Sequence, residues 1–127
     1  MTEGCTVLVV DDEPSIREVV TEVLELEGYR VLSAGNGAEA LEQIMLTRPT
    51  LVLLDMRMPV MDGWAFAREV QDRAISMKIC VMTAAQNAKA WADEIHAHGY
   101  LAKPFEIPQL LEAVERGCFG ADGRSTP

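Results

Sequence analysis

No stretch of this 127-residue sequence is apolar for long enough to span a bilayer. The N-terminal MTEGCTVLVVDD lacks the basic segment of a signal peptide, so a cytoplasmic protein is expected. Cysteine is scarce and odd in number. Three residues without C-x-x-C spacing point to neither a disulfide framework nor a zinc site. Cys5 and Cys80 lie in apolar stretches and read as small buried hydrophobes, while Cys118 lies in a Gly-rich segment and reads as exposed. Basic residues are also short: 11 Lys and Arg against 20 Asp and Glu give a net charge of −9. That balance argues against a nucleic-acid or anionic-membrane surface, which would want a basic face. It suits a metal ion or a basic partner, and a solvated acidic surface would account for most of it equally well. Repeats and low-complexity segments are absent.

What is present is a 49% hydrophobic chain, enough for the core of one domain. Apolar runs alternate with amphipathic segments. Strands are predicted at residues 6 to 10, 29 to 34, 51 to 54, 78 to 82 and 100 to 102. The first helix carries Ile16, Val19, Val20, Val23 and Leu24 on one stripe, opened by Pro14 and stopped by Gly28. The second, 36 to 46, carries Ala38, Leu41, Ile44 and Met45. The third, 63 to 72, turns Phe66, Ala67 and Val70 inward, and a fourth covers 87 to 98. The fifth begins near 107 with Ile107, Leu110, Leu111 and Val114. From Gly117 onward, GCFGADGRSTP reads as a flexible tail or the start of a linker.

Five strand–helix units predict an α/β fold with a parallel sheet and helices on both faces, because parallel neighbours need crossovers. In such sheets functional groups gather beyond the carboxyl ends of the strands. Here those ends carry Asp11 and Asp12, Asp55, Thr83 and Lys103. Two carboxylates about 5 Å apart repel by roughly 3 kcal/mol at an effective dielectric near 20. Three of them require a bound proton or added cations. Lys103 is one cation, and a hard divalent ion is the natural second. A carboxylate beside such an ion, a hydroxyl and a lysine suits phosphoryl transfer, with Asp55 as the nucleophile. Taken singly, these residues have plainer readings. Asp12 or Glu13 could cap the first helix and Asp62 the third, Thr83 could be an ordinary strand residue, and Lys103 a surface lysine.

The sequence resembles the receiver domain of two-component response regulators, the family of the chemotaxis regulator CheY. The matching blocks are VLVVDDEP at 7 to 14, LVLLDMRMPVMDG at 51 to 63, VMTA at 81 to 84 and YLAKPF at 100 to 105. The resemblance spans about residues 5 to 116, placing the receiver at 1 to 116 and the tail at 117 to 127. It implies a flavodoxin-like, doubly wound five-stranded sheet in order 2-1-3-4-5. Asp55 would accept a phosphoryl group from a histidine kinase or phosphotransfer protein. Asp12, Asp55 and the backbone carbonyl of Arg57 would hold Mg²⁺ (or Mn²⁺), with Asp11 reaching it mainly through water. Thr83 and Lys103 would stabilise the phosphoryl group, and Ala84 keeps its position small. A cis bond before Pro104 would aim Lys103 at the site. Thr83 and Tyr100 would act as the switch that reshapes the helix four–strand five–helix five face for a downstream protein target, in a monomer or a phosphorylation-linked dimer. The resemblance implies a signalling phosphoacceptor rather than an enzyme, either whole in itself or part of a larger regulator.

The Arg57 side chain falls where family members tune phosphate lifetime, with a solvated loop arginine as the equal alternative, and Ala85 offers no side chain to position a hydrolytic water. Trp64 is expected in the core or rim of the third helix. Trp91 is expected at the flank of the core, with a partner-binding anchor as the sharper alternative. His96 and His98 read as surface residues. A haloacid-dehalogenase phosphatase would need an aspartate where Arg57 stands, and DDEPS would repel the phosphate of a flavodoxin cofactor. A phosphate-independent interaction module of the same fold is the third rival.

Overall fold

A computed structural model describes residues 4–120. The chain alternates β1 (Thr6–Val10), α1 (Pro14–Leu26), β2 (Arg30–Ala34), α2 (Gly37–Thr47), β3 (Leu51–Leu54), α3 (Gly63–Asp72), β4 (Lys78–Ala84), α4 (Ala85–Glu94), β5 (Gly99–Lys103) and α5 (Ile107–Phe119). All strand pairs are parallel and the sheet order is β2-β1-β3-β4-β5. This is the flavodoxin-like arrangement, with the order reversing beside β1. No helix among the described residues is long and apolar enough to cross a membrane.

Alternation along the central strands divides the core. Leu8, Val10, Val52 and Leu54 face α2, α3 and α4, meeting Leu41, Ile44, Phe66 and Ala92. Val7, Val9, Leu51 and Leu53 face the other way onto Val20 and Leu24 of α1 and Leu110 and Val114 of α5. Strands buried on both faces need continuous apolar runs, which explains the uninterrupted Leu51–Leu54.

The helix stripes differ from expectation at their margins. Val19 is 55% exposed, and Met45 and Ile107 also face solvent. Each helix lies on a curved sheet and buries a narrower arc than its apolar residues span. The fourth helix is shorter than 87 to 98, ending at Glu94. His96 then adopts φ 56°, and Ala97 N–H donates to the Ala92 carbonyl, turning the chain into β5. Both histidines are exposed, and His98 Nδ1 accepts a hydrogen bond from Ile79 N–H.

The expected start of the tail, Gly117, is a buried part of α5. A Cβ there would lie 2.6 Å from Leu51 Cδ1, so only glycine lets α5 approach β3 this closely. The rest of the expected tail, residues 121–127, lies outside the described residues. The residue after Gly117, Cys118, is bonded to Cys5, with Cα atoms 5.9 Å apart. This corrects the expectation of unpaired cysteines: a spacing of 113 residues carries no local signal, and only the fold brings the two ends together. Cys80 is free and buried, as expected, and its thiol is pushed up to about 12 by burial.

Two expectations follow. Alkylation of the denatured, unreduced protein labels one cysteine and alkylation after reduction labels three, read by intact mass; three labels in both samples would contradict the bond. Val60, 83% exposed with φ 70°, is a β-branched residue in the left-handed region. The left-handed penalty of about 1–2 kcal/mol exceeds glycine's entropic cost of about 0.5–1, so Val60→Gly raises stability by roughly 0.5–1 kcal/mol in urea unfolding. Destabilisation would contradict this.

Candidate functional site

The register of the two central strands builds the site. Val10 and Leu54 are paired neighbours, so the residues that follow them, Asp11 and Asp55, emerge side by side at the carboxyl edge of the sheet. Asp55 N–H donates to the Val10 carbonyl at 2.9 Å, and Asp11 N–H donates to that of Ala34 at 3.1 Å. These backbone bonds carry the ladders one residue past each strand and hold both carboxylates in place. Asp11 is 0% exposed and Asp55 7%, whereas Asp12 faces solvent. Oxygen atoms from all three lie within 4.8 Å of one another.

Lys103, at the end of β5, reaches across this cluster. Its Nζ lies 2.6 Å from Asp11 Oδ2 and 3.7 Å from Asp55 Oδ2. Lys103–Pro104 is a cis peptide. Burial opposes the charge on Lys103, but the hydrogen bond to Asp11 and the charges of Asp55 and Asp11 outweigh it, and its pKa stands above the usual lysine value. Burial pushes Asp55 up to about 6; Asp11 and Asp12 add to the rise, and Lys103 and the Arg57 backbone N–H oppose it. Asp11 uses its other oxygen to accept from Glu13 N–H at 2.9 Å, and its carbonyl accepts from the Arg17 guanidinium at 2.6 Å. Asp12 therefore does not cap α1, and neither does the Glu13 side chain. Asp62 does cap α3, accepting from Ala65 N–H at 2.9 Å.

Thr83, buried at the end of β4, is in register with Ala102, and Ala84 with Lys103, so both flank the lysine. Tyr100 lies on β5 opposite Val81 and is half exposed, its ring turned toward solvent. The loop after Asp55 is drawn against α3 at Gly63, where a Cβ would lie 3.0 Å from the Asp55 carbonyl oxygen and 2.8 Å from Met56 Cα. That contact sets where Arg57 leaves the backbone. Its guanidinium lies over Trp91, Cζ 5.3 Å from the ring centroid. Trp91 packs edge-on against Trp64 with centroids 4.9 Å apart, and the Trp64 indole N–H donates to Glu94 at 2.8 Å. Both tryptophans are half-buried at the rim of the core, the core-flank placement expected for Trp91. Pairing of Arg57 with Trp91 and support of Asp11 by Arg17 had no sequence signal, since both depend on side-chain direction across elements.

The donor set fits a hard divalent cation. Three clustered carboxylates, two of them buried and one resisting ionisation, offer oxygen ligands and need positive charge beyond what Lys103 supplies.

Comparison with known proteins accords with this geometry. The sequence matches the response regulator receiver domain family over residues 7–115. It is 36% identical over 116 residues to sporulation initiation phosphotransferase F of Bacillus subtilis, covering 87% of this chain and 90% of that protein. It is 42% identical over 113 residues to the positive alginate biosynthesis regulatory protein of Pseudomonas aeruginosa, covering 87% of this chain but 46% of that one. The chain thus spans about half the length of the alginate regulator. Among solved structures, the chemotaxis protein CheY4 of Vibrio cholerae superposes with a TM-score of 0.80 at 33% identity, covering 89% of this chain and 98% of that one. The receiver domain of NtrX from Brucella abortus gives 0.81 at 29% identity, covering 88% and 97%. With the sheet order, the edge cluster and the matched span in agreement, the chain belongs to the receiver domains of two-component response regulators.

Proposed function

We propose that Asp55 accepts a phosphoryl group from a histidine kinase or phosphotransfer protein, and that the α4–β5–α5 face passes the signal to a downstream protein. The observation that carries this reading is a buried carboxylate, Asp55, set among two further carboxylates with the Lys103 ammonium 3.7 Å away. In the transfer a carboxylate oxygen of Asp55 bonds to phosphorus as the donor's phosphorus–nitrogen bond breaks, and the departing histidine keeps that electron pair. Lys103 pairs with a phosphoryl oxygen, the Thr83 hydroxyl donates to another, and Ala84 leaves room for the group. Asp12, Asp55 and the Arg57 carbonyl, backed by Asp11, would hold Mg²⁺ or Mn²⁺, which when bound neutralises charge on the transferring oxygens.

Thr83 and Tyr100 lie on paired strands, with Tyr100 opposite the residue two before Thr83. Movement of Thr83 toward a phosphoryl group vacates space beside β5, and Tyr100 turns inward to fill it. Phosphorylation shifts this equilibrium only by its differential contacts with the two states.

With acetyl phosphate and Mg²⁺, intact-mass spectrometry is expected to show one labile phosphoryl adduct that Asp55→Asn abolishes. No adduct on the wild type, or an adduct on the variant, sinks the assignment.

The same variant tests the electrostatic cost of the site. The Asp55 pKa is about 6 in the folded protein, against 3.8 for an aspartate free in water. The folded state therefore holds this proton more tightly than the unfolded chain. Its contribution favours folding below about pH 4 and is lost as pH rises through about 6. Asp55→Asn stays neutral, so without divalent metal it exceeds wild-type stability at pH 7 by roughly 2–3 kcal/mol, narrowing toward pH 4. Urea unfolding at both pH values measures this, and a margin independent of pH would contradict it.

A further inference from the structure

We propose that Trp91 is a positioning residue for the phosphorylation site: its ring holds the Arg57 guanidinium on α4 and away from the acidic cluster, leaving Asp11, Asp12 and Asp55 open to a divalent cation. The inference rests on the metal-binding reading of that cluster.

Arg57 is two residues beyond Asp55, and its backbone N–H helps to lower the Asp55 pKa. The three carboxylates clustered at Asp55 attract any cation on the adjoining loop. Electrostatics alone would send the Arg57 side chain there. Instead the guanidinium lies 5.3 Å from the Trp91 centroid, within the range of a cation–π contact. Among the described residues, Arg57 forms no salt bridge with any carboxylate.

The ring is itself held. Trp64, at the start of α3, meets it edge-on at 67° between planes, and Glu94 on α4 accepts from the Trp64 indole. The contact therefore joins the loop after Asp55 to α3 and α4 through side chains alone. A guanidinium over the carboxylates would compete with a divalent ion for the same charge, as any fixed cation must. A displacement of α4 that breaks the stacking would free that competitor, linking the helix to occupancy of the site.

The test uses Mg²⁺ alone as the probe, titrated calorimetrically at low ionic strength, where the competing charge is least screened. Trp91 can shift the Arg57 population only by the strength of its own hold, so Trp91→Leu is expected to weaken Mg²⁺ binding about two- to fivefold. Trp91→Phe, which keeps a ring face, restores most of the affinity. In an Arg57→Ala background the Trp91→Leu change has no effect, because the competitor is gone. Arg57→Ala alone leaves both tryptophans in place and shifts the affinity by less than about twofold, since the charge is already parked elsewhere. An unchanged Kd in Trp91→Leu overturns the proposal, as does equal weakening with and without Arg57, which would mark a purely structural effect. So does a large gain in affinity in Arg57→Ala, which would place the guanidinium over the cluster from the start. Absence of Mg²⁺ binding to the wild type removes the metal reading and this proposal together, whereas equal affinities across the set remove only the positioning role.

Discussion

The ion pairs of Lys103 with Asp11 and Asp55 are the constraint around which the rest of the molecule is arranged. Asp11 has no exposed surface and Asp55 almost none, and their charges at the edge of an apolar sheet are tolerable only with a cation close by. Lys103 arrives from the far strand of the sheet, 92 residues after Asp11. Its reach across the cluster therefore depends on β3 and β4 being correctly paired between β1 and β5. Sheet order and site electrostatics are one problem: a slipped strand would strand a buried carboxylate without its partner.

Much of this was legible from patterns that local chemistry dictates. The five apolar runs and their helical crossovers gave the parallel sheet, and the carboxyl-edge rule then picked out Asp11, Asp12, Asp55, Thr83 and Lys103. The structure gathers the three carboxylates and the lysine directly and brings Thr83 to the same edge. Capping by Asp62 was also readable, because the interaction lies within three residues.

What stayed hidden depends on distance in sequence or on side-chain direction. Gly117 looked like loop composition, yet its missing side chain is what seats α5 against Leu51. Cys5 and Cys118 are separated by nearly the whole chain. Arg57 and Trp91 each had a sensible reading alone, and their pairing appears only when the loop after β3 is placed beside α4. Helix margins were misjudged for a simpler reason: Val19, Met45 and Ile107 are apolar by composition but fall outside the arc that a curved sheet covers.

The bond between Cys5 and Cys118 has a topological consequence. Residue 5 precedes the first strand and residue 118 sits one residue from the end of the last helix, so the fold between them is covalently a ring. A single break anywhere along that ring leaves one connected molecule rather than two fragments.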